Sequence, residues 1–118
     1  MLSVRRGAEA VNFYKAAFGA AELICVDDSD GNVVAQLSID GAEFWVADES
    51  PDHQNFSPET IGGGSVRMIL TVDYPDAVFD IAVVAGAEVA WRPADSRGWR
   101  VGRVVDPFGQ HREIGEPL

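Results

Sequence analysis

Two stretches of the chain carry the same order of local signals, and that duplication limits the fold more than any single motif does. In the first, Leu2–Val4 reads as a short strand and Ala8–Phe18 as an amphipathic helix. Val11, Tyr14 and Phe18 fall at helical spacing, Ala10 and Ala17 lie beside them, and Gly19 is the stop. Ala21–Val26 has strand composition and runs into the turn-rich Asp27-Asp28-Ser29-Asp30-Gly31. Val33–Ile39 and Ala42–Ala47 flank Asp40-Gly41, the strongest short signal for a two-residue hairpin loop. In the second stretch, Val66–Val72 is a strand and Pro75–Ala85 a helix stopped by Gly86. Glu88–Trp91 is a short strand followed by a loop at Pro93–Gly98. Trp99–Asp106 and Gln110–Ile114 are strands joined by the turn Pro107-Phe108-Gly109. The segment between the two stretches, Ser50–Ser65, holds two prolines and Gly62-Gly63-Gly64 and reads as a linker. No Lys-Ser/Thr pair follows those glycines and a strand comes next, so a phosphate cradle is not expected there.

Strand, helix and three strands, twice over, is an α+β pattern of two tandem βαβββ modules. Module one spans 1–49, the linker 50–65 and module two 66–118. A length of 118 residues suits one domain and a core that needs no disulfide or structural metal. Cys25 is the single cysteine, so neither an intrachain disulfide nor a thiolate cluster can form, and a reducing compartment is expected. No run approaches the about 18 apolar residues of a membrane helix. Met1–Gly7 carries two arginines without an apolar run behind them, so no signal peptide is expected. These features read as a complete, cytoplasmic domain. The net charge of −10 argues against nucleic acid, which needs a basic face. It serves either solubility or attraction of a cationic ligand.

The segment Gly7-Ala8-Glu9-Ala10-Val11-Asn12-Phe13-Tyr14-Lys15-Ala16-Ala17-Phe18-Gly19-Ala20 resembles the first-helix signature of the vicinal-oxygen-chelate superfamily of glyoxalases, bleomycin resistance proteins and dioxygenases. Ala47-Asp48-Glu49 and Asp106-Pro107-Phe108-Gly109 are similar to two further marks of that superfamily, in the right order. The resemblance implies a cupped mixed sheet built from both modules and completed by a homodimer. It leaves function open, since the superfamily includes isomerases, dioxygenases, drug-modifying transferases and drug-binding proteins.

The hairpin at Asp40-Gly41 assigns faces. Ile39 pairs with Ala42, Ser38 with Glu43, Leu37 with Phe44 and Gln36 with Trp45, and directly paired residues share a face. Ala35, Leu37, Ile39, Phe44 and Val46 then face the helix. Gln36, Ser38, Glu43 and Trp45 face the open cup, where Trp45 serves as a ligand platform or a dimer contact. In module two, Val66, Met68, Leu70 and Val72 make the core face and Arg67, Ile69 and Thr71 the other. Trp99, Val101 and Arg103 share a face, as do His111 and Glu113.

The resemblance also implies a set of metal ligands, of which one remains. The superfamily's second-module histidine maps to Arg67. Its last-strand glutamate lies seven residues after the turn aspartate, which gives Glu113. The first-strand ligand falls at or before Met1, and the fourth-strand position near Trp45. Arginine offers no lone pair to a metal. The expectation is a metal-free, cofactor-free site in which the Arg67 guanidinium replaces the ion and pairs with Glu113, with Arg103 as a third member. The other possibility is that Arg67 and Glu113 are unrelated surface charges. His111 lends itself to a cup donor or a structural histidine, and His53 lies in the linker. Cys25 has acidic neighbours, Asp27 and Asp28, that disfavour a thiolate. No catalytic residue is assigned.

The expected ligand-binding set is therefore Gln36, Ser38, Trp45, Arg67, Trp99, Arg103, His111 and Glu113, with Trp91 as a further aromatic. Three functions fit it. One is a metal-independent protein that sequesters a bulky aromatic or cationic small molecule, an antibiotic for example. The second is a lyase or isomerase using Glu113 as base with Arg67 as clamp. The third is an interaction dimer without a small ligand.

Overall fold

A computed structural model describes residues 1–118. Module one runs β1 (Leu2–Val4), α1 (Gly7–Phe18), β2 (Ala21–Asp27), β3 (Val33–Ile39) and β4 (Ala42–Asp48). Module two runs β5 (Arg67–Thr71), α3 (Pro75–Ala85), β6 (Glu88–Ser96), β7 (Trp99–Val105) and β8 (His111–Pro117). Each module folds its strands into a four-stranded sheet, in the orders β1-β4-β3-β2 and β5-β8-β7-β6. In both, the first strand pairs parallel with the last, and the helix between them crosses over one sheet face. The internal duplication thus survives at the level of topology.

Helix α1 forms because its buried positions, Ala10, Val11, Phe13, Tyr14 and Ala17, recur at helical spacing. Its last carbonyls are capped by Gly19, whose backbone is left-handed. The β3–β4 pairing follows the Asp40-Gly41 turn residue for residue, with Gln36 opposite Trp45 and Leu37 opposite Phe44. Both turn residues have positive φ, which the right-handed twist of the flanking strands requires.

Three expectations need correction. The linker is not structureless: it holds a 3-10 turn at Pro51–His53 and a short helix, α2 (Pro58–Ile61), capped by the Ser57 hydroxyl. Strand β6 does not stop at Trp91 but continues to Ser96, because its irregularities around Trp91 and Pro93 bend the strand without ending it. Proline is tolerated there because β6 is an edge strand. Val66 does not join the core face; it precedes β5 and is 62% exposed. Met68, Leu70 and Val72 are half-buried, as that face requires.

The two modules share one core. Tyr14, Leu37, Val46, Phe79, Val104 and Ile114 all belong to it. Helix α1 packs against α3 between the sheets. Arg112, on the inner face of β8 and 2% exposed, stacks its guanidinium 4.4 Å from the Tyr14 ring and 5.6 Å from the Phe44 ring. Two sheets whose inner faces meet in this way turn their open faces outward. The faces turned away from this core carry Gln36, Ser38 and Trp45 in module one and Arg67, Trp99, Arg103, His111 and Glu113 in module two.

The motifs behind the resemblance hold this arrangement together. Asp106, 3% exposed, accepts hydrogen bonds from the Tyr14 hydroxyl at 2.7 Å and the Phe108 and Gln110 backbone amides at 3.0 and 2.9 Å. It also neutralises Arg112 at 3.5 Å. Asp48 accepts from the Gly7 amide at the start of α1 and from the Val33 amide, tying the helix to β3. Glu49 accepts from the Ser57 amide and the Thr60 hydroxyl, which fastens the linker to module one.

Candidate functional site

The open face of module two gathers five of the eight expected residues. Strand register sets Arg67 beside His111 and Ile69 beside Glu113. On the other side of β8, Arg103 pairs with Glu113, Val101 with Gly115 and Trp99 with Pro117. Glu113 sits at the centre and is engaged by two guanidinium groups. Arg103 donates to one carboxylate oxygen at 3.0 Å. Arg67 approaches the other at 3.5 Å. The Arg103 guanidinium also lies 4.1 Å above the Trp91 ring, a cation–π contact that fixes the side chain from beneath. Its Nε–H is buried without a hydrogen-bond partner.

Beside this cluster is a hollow of about 320 Å³, lined by Ile69, Ser96, Arg97, Trp99, Val101 and Glu113. Ser96 and Arg97 were not among the expected residues. Arg97-Gly98 is a two-residue turn with positive φ at both positions, the hairpin geometry that sets Ser96 opposite Trp99. The Xaa-Gly pair was visible in the sequence, but Arg is an uncommon residue in that conformation and Pro93 masked the strand before it.

The open face of module one carries the other three. Trp45 is 36% exposed, and Gln36 donates to Glu43 at 3.1 Å across the β3–β4 pair. Ser38 lies opposite Glu43. A larger hollow, about 570 Å³, opens between the free strands β1 and β5 and is reached by Trp45, Glu43, Phe56, Ile61, Val66 and Met68. No hydrogen bond or ion pair joins Gln36, Ser38 or Trp45 to the cluster around Glu113.

The residues present do not fit a metal ion. No three His, Cys, Asp or Glu side chains come together as a ligand set. Both oxygens of Glu113 are taken by guanidinium groups, which carry no lone pair for a cation. His53 hydrogen-bonds Ser50 in the linker, away from either face. Cys25 is exposed on the edge strand β2. Desolvation raises its thiol above the ordinary range, and Glu22 and Asp27 add to the rise, so it is a poor nucleophile.

Paired βαβββ modules with this sheet order define a vicinal-oxygen-chelate fold. The crystal structure of a glyoxalase/bleomycin resistance protein/dioxygenase family enzyme from Burkholderia phytofirmans matches with a TM-score of 0.77 at 17% identity, over 99% of this chain and 94% of that one. TnmS3, an antibiotic binding protein from Streptomyces sp. CB03234, matches with a TM-score of 0.72 at 23% identity, over 99% and 91%. The uncharacterized protein Rv0887c of Mycobacterium tuberculosis is 38% identical over 122 aligned residues, which cover 99% of this chain and 72% of the relative. No family model matches the chain. The chain has the fold of these glyoxalase/bleomycin resistance/dioxygenase structures and is a relative of Rv0887c over nearly its whole length.

Proposed function

We propose that this chain is a metal-independent, cytoplasmic binding protein that sequesters a bulky aromatic small molecule, an antibiotic or related natural product. The observation that carries the reading is the module-two hollow, walled by Trp99, Val101 and Ile69 and floored by a fully paired Glu113. Aromatic and aliphatic walls with a few placed polar groups suit a drug-like ligand. The antibiotic-binding neighbour TnmS3 supports the same reading at the level of fold. A carboxylate with both oxygens engaged is a poor general base, which weighs against a lyase or isomerase built on Glu113.

A homodimer completes the proposed site. The open face of module one, with Gln36, Ser38 and Trp45, would stand across from the module-two face of a second copy, giving two composite cups per dimer. Free strand edges at β1 and β5, and the exposed apolar side chains around the larger hollow, support this pairing.

A thermal-shift screen with aromatic antibiotics tests the reading. A ligand at about 100 times its Kd adds about 2.7 kcal/mol of stability. A clear rise in Tm with at least one compound class is expected. No shift with any class would favour an interaction dimer without a small ligand. Stoichiometric, tightly held zinc, nickel or iron in the purified protein would overturn the metal-free part.

A further inference from the structure

The hollow of module two is polar at both ends and apolar between them, and its ends differ in hydrogen-bonding character. Strand register sets how far apart they lie. Glu113 stands opposite Arg103, whereas Pro117 stands opposite Trp99 and Trp99 opposite Ser96. Glu113 and Pro117 are four residues apart on β8, about 13 Å at the rise of a strand. Ile69, Val101 and Trp99 form the apolar wall. The Glu113 end accepts. Arg103 meets one carboxylate oxygen at 3.0 Å and Arg67 the other at 3.5 Å. A carboxylate has about four lone-pair positions, so each oxygen keeps one. With its charge balanced, Glu113 draws no cation but still accepts a hydrogen bond. The far end donates. Arg97, in the turn, and Ser96, beside it, both line the hollow, and neither side chain has a hydrogen-bond or ion-pair partner in the protein. The nearest acid in sequence, Asp95, is held by Arg100. Leu118 runs beside the turn, its amide donating to the Gly98 carbonyl at 2.8 Å, and makes no ion pair with Arg97.

We propose that this hollow takes an elongated, two-ended aromatic ligand: a hydroxyl or N–H donor at the Glu113 end and an acceptor oxygen at the Ser96–Arg97 end. This rests on the binding reading above and gives it a direction, in place of the cationic ligand that net charge alone suggested. The aromatic body lies along Val101 and Trp99. Covering that wall strips water from both ends, and a buried donor or acceptor left without a partner costs more than a made hydrogen bond returns. A ligand with matching groups at both ends is therefore selected over one that is merely flat and apolar. Hydrogen bonds to the Glu113 carboxylate and from the Arg97 guanidinium are charge-assisted, which sharpens the selection. A volume of about 320 Å³ is small among ligand pockets and suits a two-ring body.

Three probes on one biphenyl frame test the proposal by calorimetric titration: 4-phenylphenol, 4-acetylbiphenyl and 4-acetyl-4'-hydroxybiphenyl. The two-ended probe is expected to bind about tenfold tighter than either one-ended probe. In the double variant Ser96→Ala/Arg97→Ala, both positions being exposed and outside the core, the gain from the acetyl group should vanish and the gain from the hydroxyl should remain. In Glu113→Gln, which keeps the size but gives up one acceptor oxygen, the hydroxyl gain should shrink and the acetyl gain remain. A melting curve shows whether Glu113→Gln is folded; if it is not, the turn variant decides alone. No advantage for the two-ended probe, or an acetyl gain that survives in the turn variant, would overturn the proposal and leave the binding reading standing. Failure of all three probes to bind would also overturn it; the antibiotic screen would then decide the binding reading separately.

Discussion

Asp106 shows what single side chains do here. It is buried, and it joins the β7–β8 turn to Tyr14 of α1, 92 positions earlier in the chain. Arg112 completes the cluster inside a box of Tyr14, Phe18 and Phe44, where ring faces compensate a terminal nitrogen that has no hydrogen-bond partner. Burial holds the Tyr14 hydroxyl well above its ordinary range, the Asp106 charge adds to this, and Arg112 opposes it. The sign of the resulting pH dependence follows. Above pH of about 10 the unfolded chain releases the Tyr14 proton and the folded chain keeps it, so stability falls as pH rises, by at most about 1.4 kcal/mol per pH unit from this group. Tyr14→Phe should lose about 1–3 kcal/mol at neutral pH, because Asp106 loses a buried partner, and should show a shallower alkaline decline than the parent. Urea unfolding between pH 7 and 11 reads both; identical alkaline slopes would contradict the assignment. Some of this was legible in the sequence. Alternation along the last strand set His111 and Glu113 on one face, which consigns Arg112 to the other. Its aromatic box was not legible, since Tyr14 and Phe18 come from α1 and Phe44 from β4, all far from Arg112 along the chain.

At the scale of elements, short local signals carried the hairpins. Asp40-Gly41 set the β3–β4 register and with it the positions of Trp45, Gln36 and Ser38. The β6–β7 hairpin was harder to read, because its turn begins with Arg97 and its first strand contains Pro93. That hairpin is held against α3 by close approach at Gly102. A methyl group there would stand 2.8 Å from the Pro93 nitrogen and 3.0 Å from the Phe79 ring. Backbone on one side and the fully buried Phe79 on the other leave little room to yield. Gly102→Ala should therefore cost about 1–3 kcal/mol, as other overpacked cores do. Chemical denaturation checks it, and a variant as stable as the parent would mean that β6 and α3 can separate at little cost.

For the whole molecule, the deciding fact is the facing of the two sheets. A shared core of α1 and α3 turns the open faces outward, so eight residues expected together divide into a group of five and a group of three. Sequence periodicity assigns residues to faces but does not say how two sheets pack, because that depends on contacts such as Arg112 on Phe44 between modules. The Arg67–Glu113–Arg103 cluster was legible, since alternation and the turn spacing together put its members on neighbouring strands. The central claim is that the module-two face seats an aromatic ligand on Trp99. Calorimetric titration of the most stabilising antibiotic from the screen, into the parent chain and into Trp99→Ala, tests it most directly. One saturable site per chain, weakened about tenfold or more by Trp99→Ala, is the expected result. A saturable site indifferent to Trp99→Ala, or no saturable site in the parent chain, would contradict it.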